Sequence, residues 1–189
     1  MKPSRAQILF VFSAFFSATI SILAEPTIGQ AYRISFTDID GNAFSTADGH
    51  VTTVVLISKT NVDKAHAIGD RTPDFCLGNP AFRMITVVTF ETKHTRPVRA
   101  FMTAVMRRRV DSEAKQLQIR YDQLKITRSA HKDIFAVADF DGTIAAQFDS
   151  KPAATLFRVF VFGKNGELRN QWSDLPPPEE LAAALKTSN

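Results

Sequence analysis

Cysteine is almost missing from this chain: Cys76 stands alone among 189 residues. An internal disulfide is therefore excluded, as is a zinc site of the paired-cysteine kind. Tryptophan and tyrosine are scarce too, with one and two residues against sixteen phenylalanines. The four histidines, His50, His66, His94 and His131, are scattered, with no H-x-x-x-H pair and no Cys/His spacing. Nothing in the sequence therefore implies a metal or another cofactor. Strong charge of one sign is absent as well. The first 24 residues hold no acid, and without their Lys2 and Arg5 the chain keeps 21 bases against 19 acids. That balance argues against nucleic acid as a partner, which calls for a clustered basic face.

The one long apolar run is at the start. MKPSR is a short basic region, followed by ILFVFSAFFSATISILA, Ile8–Ala24, which Ser13, Ser17, Thr19 and Ser21 interrupt. As a helix this run spans about 26 Å, short of the roughly 30 Å hydrocarbon core of a bilayer. The pattern predicts a signal peptide over residues 1–24, cleaved after Ala24, with export to the periplasm or medium. An uncleaved single-span anchor is the alternative. No cysteine lies near residue 24, which excludes a lipid-modified N-terminal cysteine. Residues 25–189 suffice for a single domain with its own core. In an oxidising compartment Cys76 reads as a small buried hydrophobe, the alternative being a free reactive thiol or an intermolecular bridge.

In the mature region Tyr32, Ile34 and Phe36 alternate as one face of a strand. Asp38–Asn42 forms a turn, and Ala43-Phe44 begins a return strand. VTTVVLIS, residues 51–58, is the apolar, β-branched run of a strand covered on both faces. A helix is expected from Asn61 to Ile68, broken by Gly69 and Pro73. RMITVVTF, residues 83–90, is a second buried strand. Pro97 opens a long helix. Its stripe runs through Val98, Phe101, Met102 and Val105 to Val110, Ala114, Leu117, Tyr121 and Leu124. DIFAVADF and LFRVFVF are further strands, with Gly142 and a short helical piece, TIAAQF, between them. GKNG turns the chain into ELRNQW. A last helix, EELAAALK, follows three prolines, with Asp174 in the region of its N-cap. Helices alternating with buried strands predict an α/β layered fold, and the closing hairpin makes its central sheet mixed.

This order resembles a thioredoxin-like domain, most like the exported thiol–disulfide proteins and peroxiredoxins. ISFTDIDGNAFSTADGHVTTVVLI is similar to the opening of that family, VADFDGTIAAQF to its third strand and following short helix, VFVFGKNGELRNQW to its closing hairpin, and PPPEELAAALK to its last helix. The likeness extends over residues 32–187. It implies a mixed central sheet with helices on both faces and an N-terminal β-hairpin. It also implies a W-C-x-x-C motif after the first central strand and a cis-proline before the fourth. Here SKTNVDKAHAIG, Ser58–Gly69, holds no cysteine, Leu156 or Phe157 stands at the proline position, and Pro152 lies several residues early. Thiol–disulfide exchange needs a thiolate to attack and a second thiol to release the mixed disulfide. The family's redox activity is therefore not expected. The helix start is read as capped by Asn61 or Asp63, with Lys59 and Lys64 exposed beside it.

DFDGT, Asp139–Thr143, has the form of the nucleophile motif of haloacid-dehalogenase-type phosphatases, and DIDGN, Asp38–Asn42, has a similar shape. Both read as Asp/Gly turns at strand ends. His66 reads as a solvated helix residue. MRRRV, with Arg96, Arg99, Lys115 and Arg120, makes the long helix basic. This is a solvated face or, alternatively, a weak contact with an anionic membrane surface or acidic partner. The expectation is an exported thioredoxin-like domain without redox activity, in a binding or accessory role toward an unidentified protein partner. The alternative is a thiol-dependent peroxidase or oxidoreductase using Cys76.

Overall fold

The computed structural model of the chain describes residues 25–186; the expected signal peptide, residues 1–24, lies outside them. Strands β1 (Ser35–Thr37) and β2 (Ala43–Ser45) form a small antiparallel hairpin. The main sheet consists of β3 (Val51–Ser58), β4 (Phe82–Thr89), β5 (Ile134–Asp139), β6 (Phe157–Phe162) and β7 (Leu168–Trp172), in the order β5-β4-β3-β6-β7. β3, β4 and β5 pair in parallel, while β6 and β7 run antiparallel. The helices are α1 (Val62–Arg71), α2 (Arg96–Gln123), α3 (Thr143–Ala146) and α4 (Pro178–Leu185).

β3 lies at the centre, and all eight of its residues are buried. Its even positions Val54 and Leu56 share one face with Ile85, Val87, Val137, Phe160 and Phe162, under the hairpin's Phe36 and under Ala145 and Phe148 at α3. Its odd positions Val51, Val55 and Ile57 share the other face with Phe157, Val159 and Val161, under Ala65 and Ile68 of α1 and Leu181 and Leu185 of α4. A run with no polar alternation thus became a strand because both of its faces meet helices or hairpin.

Several expectations are corrected. Gly69 does not end α1, which continues to Arg71; Thr72 N–H then bonds to Gly69 O, and Pro73 closes the element. Glycine costs a helix about 1 kcal/mol relative to alanine, but helical φ/ψ is open to it, and here it faces Met84 of β4. Asp174 does not cap α4. The helix starts after Pro177, and the Asp174 carboxylate accepts from Lys64 Nζ at 2.9 Å. The stripe on α2 is only half a core face: Val110, Ala114 and Tyr121 are buried, whereas Val98, Phe101, Val105 and Leu124 are exposed, Phe101 at 70%. Gly142 precedes α3 with φ of +70°, as a tight strand-to-helix turn requires.

Candidate functional site

The carboxyl end of β3 is where this architecture would place reactive cysteines. Ser58 ends the strand, and Lys59–Asn61 form one 3-10 turn before α1. Ser58 Oγ donates to Ala154 O at 2.7 Å, and Thr60 Oγ1 bonds to the same carbonyl. Asn61 Nδ2 donates to Leu156 O at 2.9 Å and to Ser58 Oγ at 3.3 Å, while Ser58 N–H also donates to Leu156 O. Three polar side chains therefore stitch the helix start to residues 154–156, the segment leading into β6. The expected cap is corrected accordingly: neither Asn61 nor Asp63 caps α1 through its side chain. Asn61 is turned across the sheet end instead, and Asp63 is solvent-exposed in the first turn. Lys64 is engaged too, paired with Asp174 and lying 5.1 Å from the Phe157 ring centroid. Lys59 is exposed and has no ion-pair partner among the described residues.

Cys76 lies far along the chain from this turn, in a short 3-10 element, buried against Ala65, Ile68 and Leu185. Burial pushes its thiol up to about 12. A thiol so placed holds almost no thiolate at neutral pH, the form that attacks disulfides and peroxides.

The aspartates of the two D-x-D-G turns have structural partners. Asp139 is buried and accepts from Ala145 N–H at 2.8 Å, which holds α3 to the end of β5. Asp141 forms a forked pair with Arg99, whose guanidinium holds its carboxyl below the ordinary range against a smaller opposing effect of desolvation. Asp38 Oδ1 accepts from Asp40 and Asn42 N–H, an Asx turn, and Asp40 pairs with Arg107. The histidines stand apart. His50 meets Asp48, His131 meets Asp111, His94 packs on Phe90 and Phe140, and His66 lies 3.8 Å from both Asp70 and Glu113. Arg99, Arg107 and Arg120 of the basic helix are each paired with an aspartate.

A feature not anticipated from sequence is a groove of about 630 Å³ between α1 and α2, over β4. Its floor is the half-buried face of β4, Phe82, Met84, Thr86 and Val88. Val62, Ala65 and Gly69 form the α1 wall, and Met102, Val105, Met106 and Leu117 the α2 wall. Apart from Met1, every methionine of the chain lines it. At one end Tyr121 Oη accepts from Gly78 N–H and donates to Asp133, while Arg120 ties α2 to Asp74 and Thr72 O. At the other end Lys59, Val62 and the exposed Phe101 stand beside the turn after β3. The signal that could have found the groove was the stripe Phe101–Met102–Val105–Met106. It has no visible partner in the sequence, because the helix it would pack against, α1, presents small residues to it.

No protein-family model matches the chain, and no curated protein matches it. Solved structures do align with it. DsbF from MTB shares 14% identity, with 80% of this chain and 91% of that chain covered and a TM-score of 0.49. The exposed lipoprotein thioredoxin Etrx1 of Streptococcus pneumoniae shares 13%, with 82% and 98% covered and a TM-score of 0.47. A putative thiol:disulfide interchange protein DsbE from Chlorobium tepidum shares 11%, with 86% and 100% covered and a TM-score of 0.49. The chain's own strand order, its parallel βαβ units around β3 and its closing antiparallel β6-β7 hairpin decide the matter. The fold is thioredoxin-like. This thioredoxin-like domain carries a single cysteine and no C-x-x-C motif, and serine, lysine, threonine and asparagine occupy the turn after β3.

Proposed function

We infer that this is a thioredoxin-like binding module without redox activity, acting outside the cytoplasm after removal of residues 1–24. The observation that carries the reading is the closed turn at Ser58–Asn61. Its polar side chains are spent on Ala154 O and Leu156 O, and the one thiol is buried elsewhere with its pKa raised. A scaffold that keeps its core but has no thiol at the reactive turn is left with surfaces to offer. One such surface is the apolar groove between α1 and α2, of the size and lining that ligand sites have. Export rests on the basic region and apolar run at the N-terminus. Among the described residues no helix is long and apolar enough to cross a membrane.

Insulin reduction by the mature protein tests the reading. No turnover above the uncatalysed rate is expected, for wild type and Cys76→Ser alike. Turnover in wild type that Cys76→Ser abolishes would replace it with a thiol enzyme.

A further inference from the structure

We propose that the groove between α1 and α2 binds a single-chain amphiphile with an anionic head, such as a long-chain carboxylate, tail inward and head at the Lys59 end. This rests on reading the domain as a binding module and adds the class of ligand.

Size decides first. The groove follows β4 from Phe82 to Val88, about 20 Å at 3.3 Å per residue. Its volume of about 630 Å³ lies within the roughly 300–1,000 Å³ of small-molecule pockets. The lining decides next. Met84, Met102 and Met106 present flexible, polarisable side chains that adapt to a chain of variable conformation. Hydrogen bonds of Tyr121 Oη to Gly78 and Asp133 bridge the end away from Lys59, which leaves the Lys59 end for a polar head.

Charge sets the head. The charged groups lining the groove are Lys59, Arg83, Arg109 and Arg120 against Asp70, Glu113 and Asp133, with His66 between Asp70 and Glu113; Arg83, Arg120 and Asp133 are taken up by Asp48, Asp74 and Arg128. Asp70 and Glu113 both turn to His66, at 3.8 Å each, where α1 and α2 approach one another. Lys59 and Arg109 are exposed and have no acidic partner among the described residues. An anion at the mouth supplies what these two cations lack.

The test is equilibrium binding of dodecanoate to the mature protein, below its micelle concentration, beside decanoate, dodecanol and dodecyltrimethylammonium. Saturable one-to-one binding of dodecanoate is expected. Shortening to decanoate should weaken it about tenfold, as two buried methylenes require. Lys59→Glu/Arg109→Glu changes two exposed side chains and should weaken dodecanoate at least tenfold while leaving dodecanol unchanged. Thr86→Phe should block all chains; if that variant does not fold, the charge-reversal pair still decides. Absent binding, equal or tighter binding of the trimethylammonium chain, or indifference to charge reversal would overturn the proposal. None of these outcomes touches the insulin result, so the ligand class can fail while the redox-inactive reading stands.

Discussion

Asn61→Ala and Asp63→Ala should separate sharply, because the turn after β3 is held by a cross-sheet bond and not by a helix cap. Asn61 Nδ2 makes one good bond, 2.9 Å to Leu156 O, and one long bond, 3.3 Å to Ser58 Oγ. Truncation leaves no orphan, since Leu156 O keeps Ser58 N–H and Ser58 Oγ keeps Ala154 O. The loss is therefore the net value of about one hydrogen bond, about 1 kcal/mol. For a domain of this size that is about 2–4 °C in Tm. Asp63 is exposed, and among the described residues its side chain makes no hydrogen bond or ion pair. Its favourable place in the first turn contributes about 0.3–1 kcal/mol, and alanine returns up to about 0.7 kcal/mol in helix propensity. These nearly cancel. Urea unfolding of the mature protein at constant m reads both values. If Asp63→Ala costs as much as Asn61→Ala, Asp63 is a cap after all and the closed-turn account is wrong.

Gly166→Ala should destabilise more than Gly142→Ala: both have positive φ, but a Cβ at Gly166 collides with the Tyr32 carbonyl, whereas one at Gly142 meets Pro152 Cγ at 3.0 Å. The left-handed conformation alone costs about 1–2 kcal/mol, so thermal melting should rank wild type, Gly142→Ala and Gly166→Ala in that order, and an unchanged Tm at Gly166 would refute the turn geometry. Burial works to raise the Asp48 carboxyl, but hydrogen bonds from Arg83, Ser45 and His50 outweigh it and hold the group well below the ordinary carboxylate range. Its folded pKa is thus depressed, so its contribution is complete above about pH 4 and is lost on acidification, where the unfolded chain takes up the proton first. Acid titration of stability should show this loss, flattened in Asp48→Asn; identical profiles would refute the assignment.

How far the fold could be read beforehand depended on how local its causes are. β3 was legible because eight consecutive residues lack polar alternation, and the hairpin between β6 and β7 because GKNG supplies a Gly166 that must take a positive φ. The missing thiol pair was legible directly from Ser58–Gly69. What closed the turn was not, since Asn61 is partnered with Leu156 across 95 positions, and proximity in sequence favoured a cap. Asp174 misled in the same way, its partner Lys64 being 110 positions away. The groove was hidden because periodicity marks α2 as apolar along Phe101 and Val105 without saying that, among the described residues, they stay exposed.

Reactivity of Cys76 toward a thiol reagent across pH, in the native mature protein, bears most directly on the claim that this thioredoxin-like domain has no working thiol. Burial raises the group to about 12. Labelling should accordingly be slow, show no thiolate titration near the free-cysteine value of about 8.5, and become fast only when denaturant unfolds the chain. Rapid native labelling with a titration below that value would contradict the account.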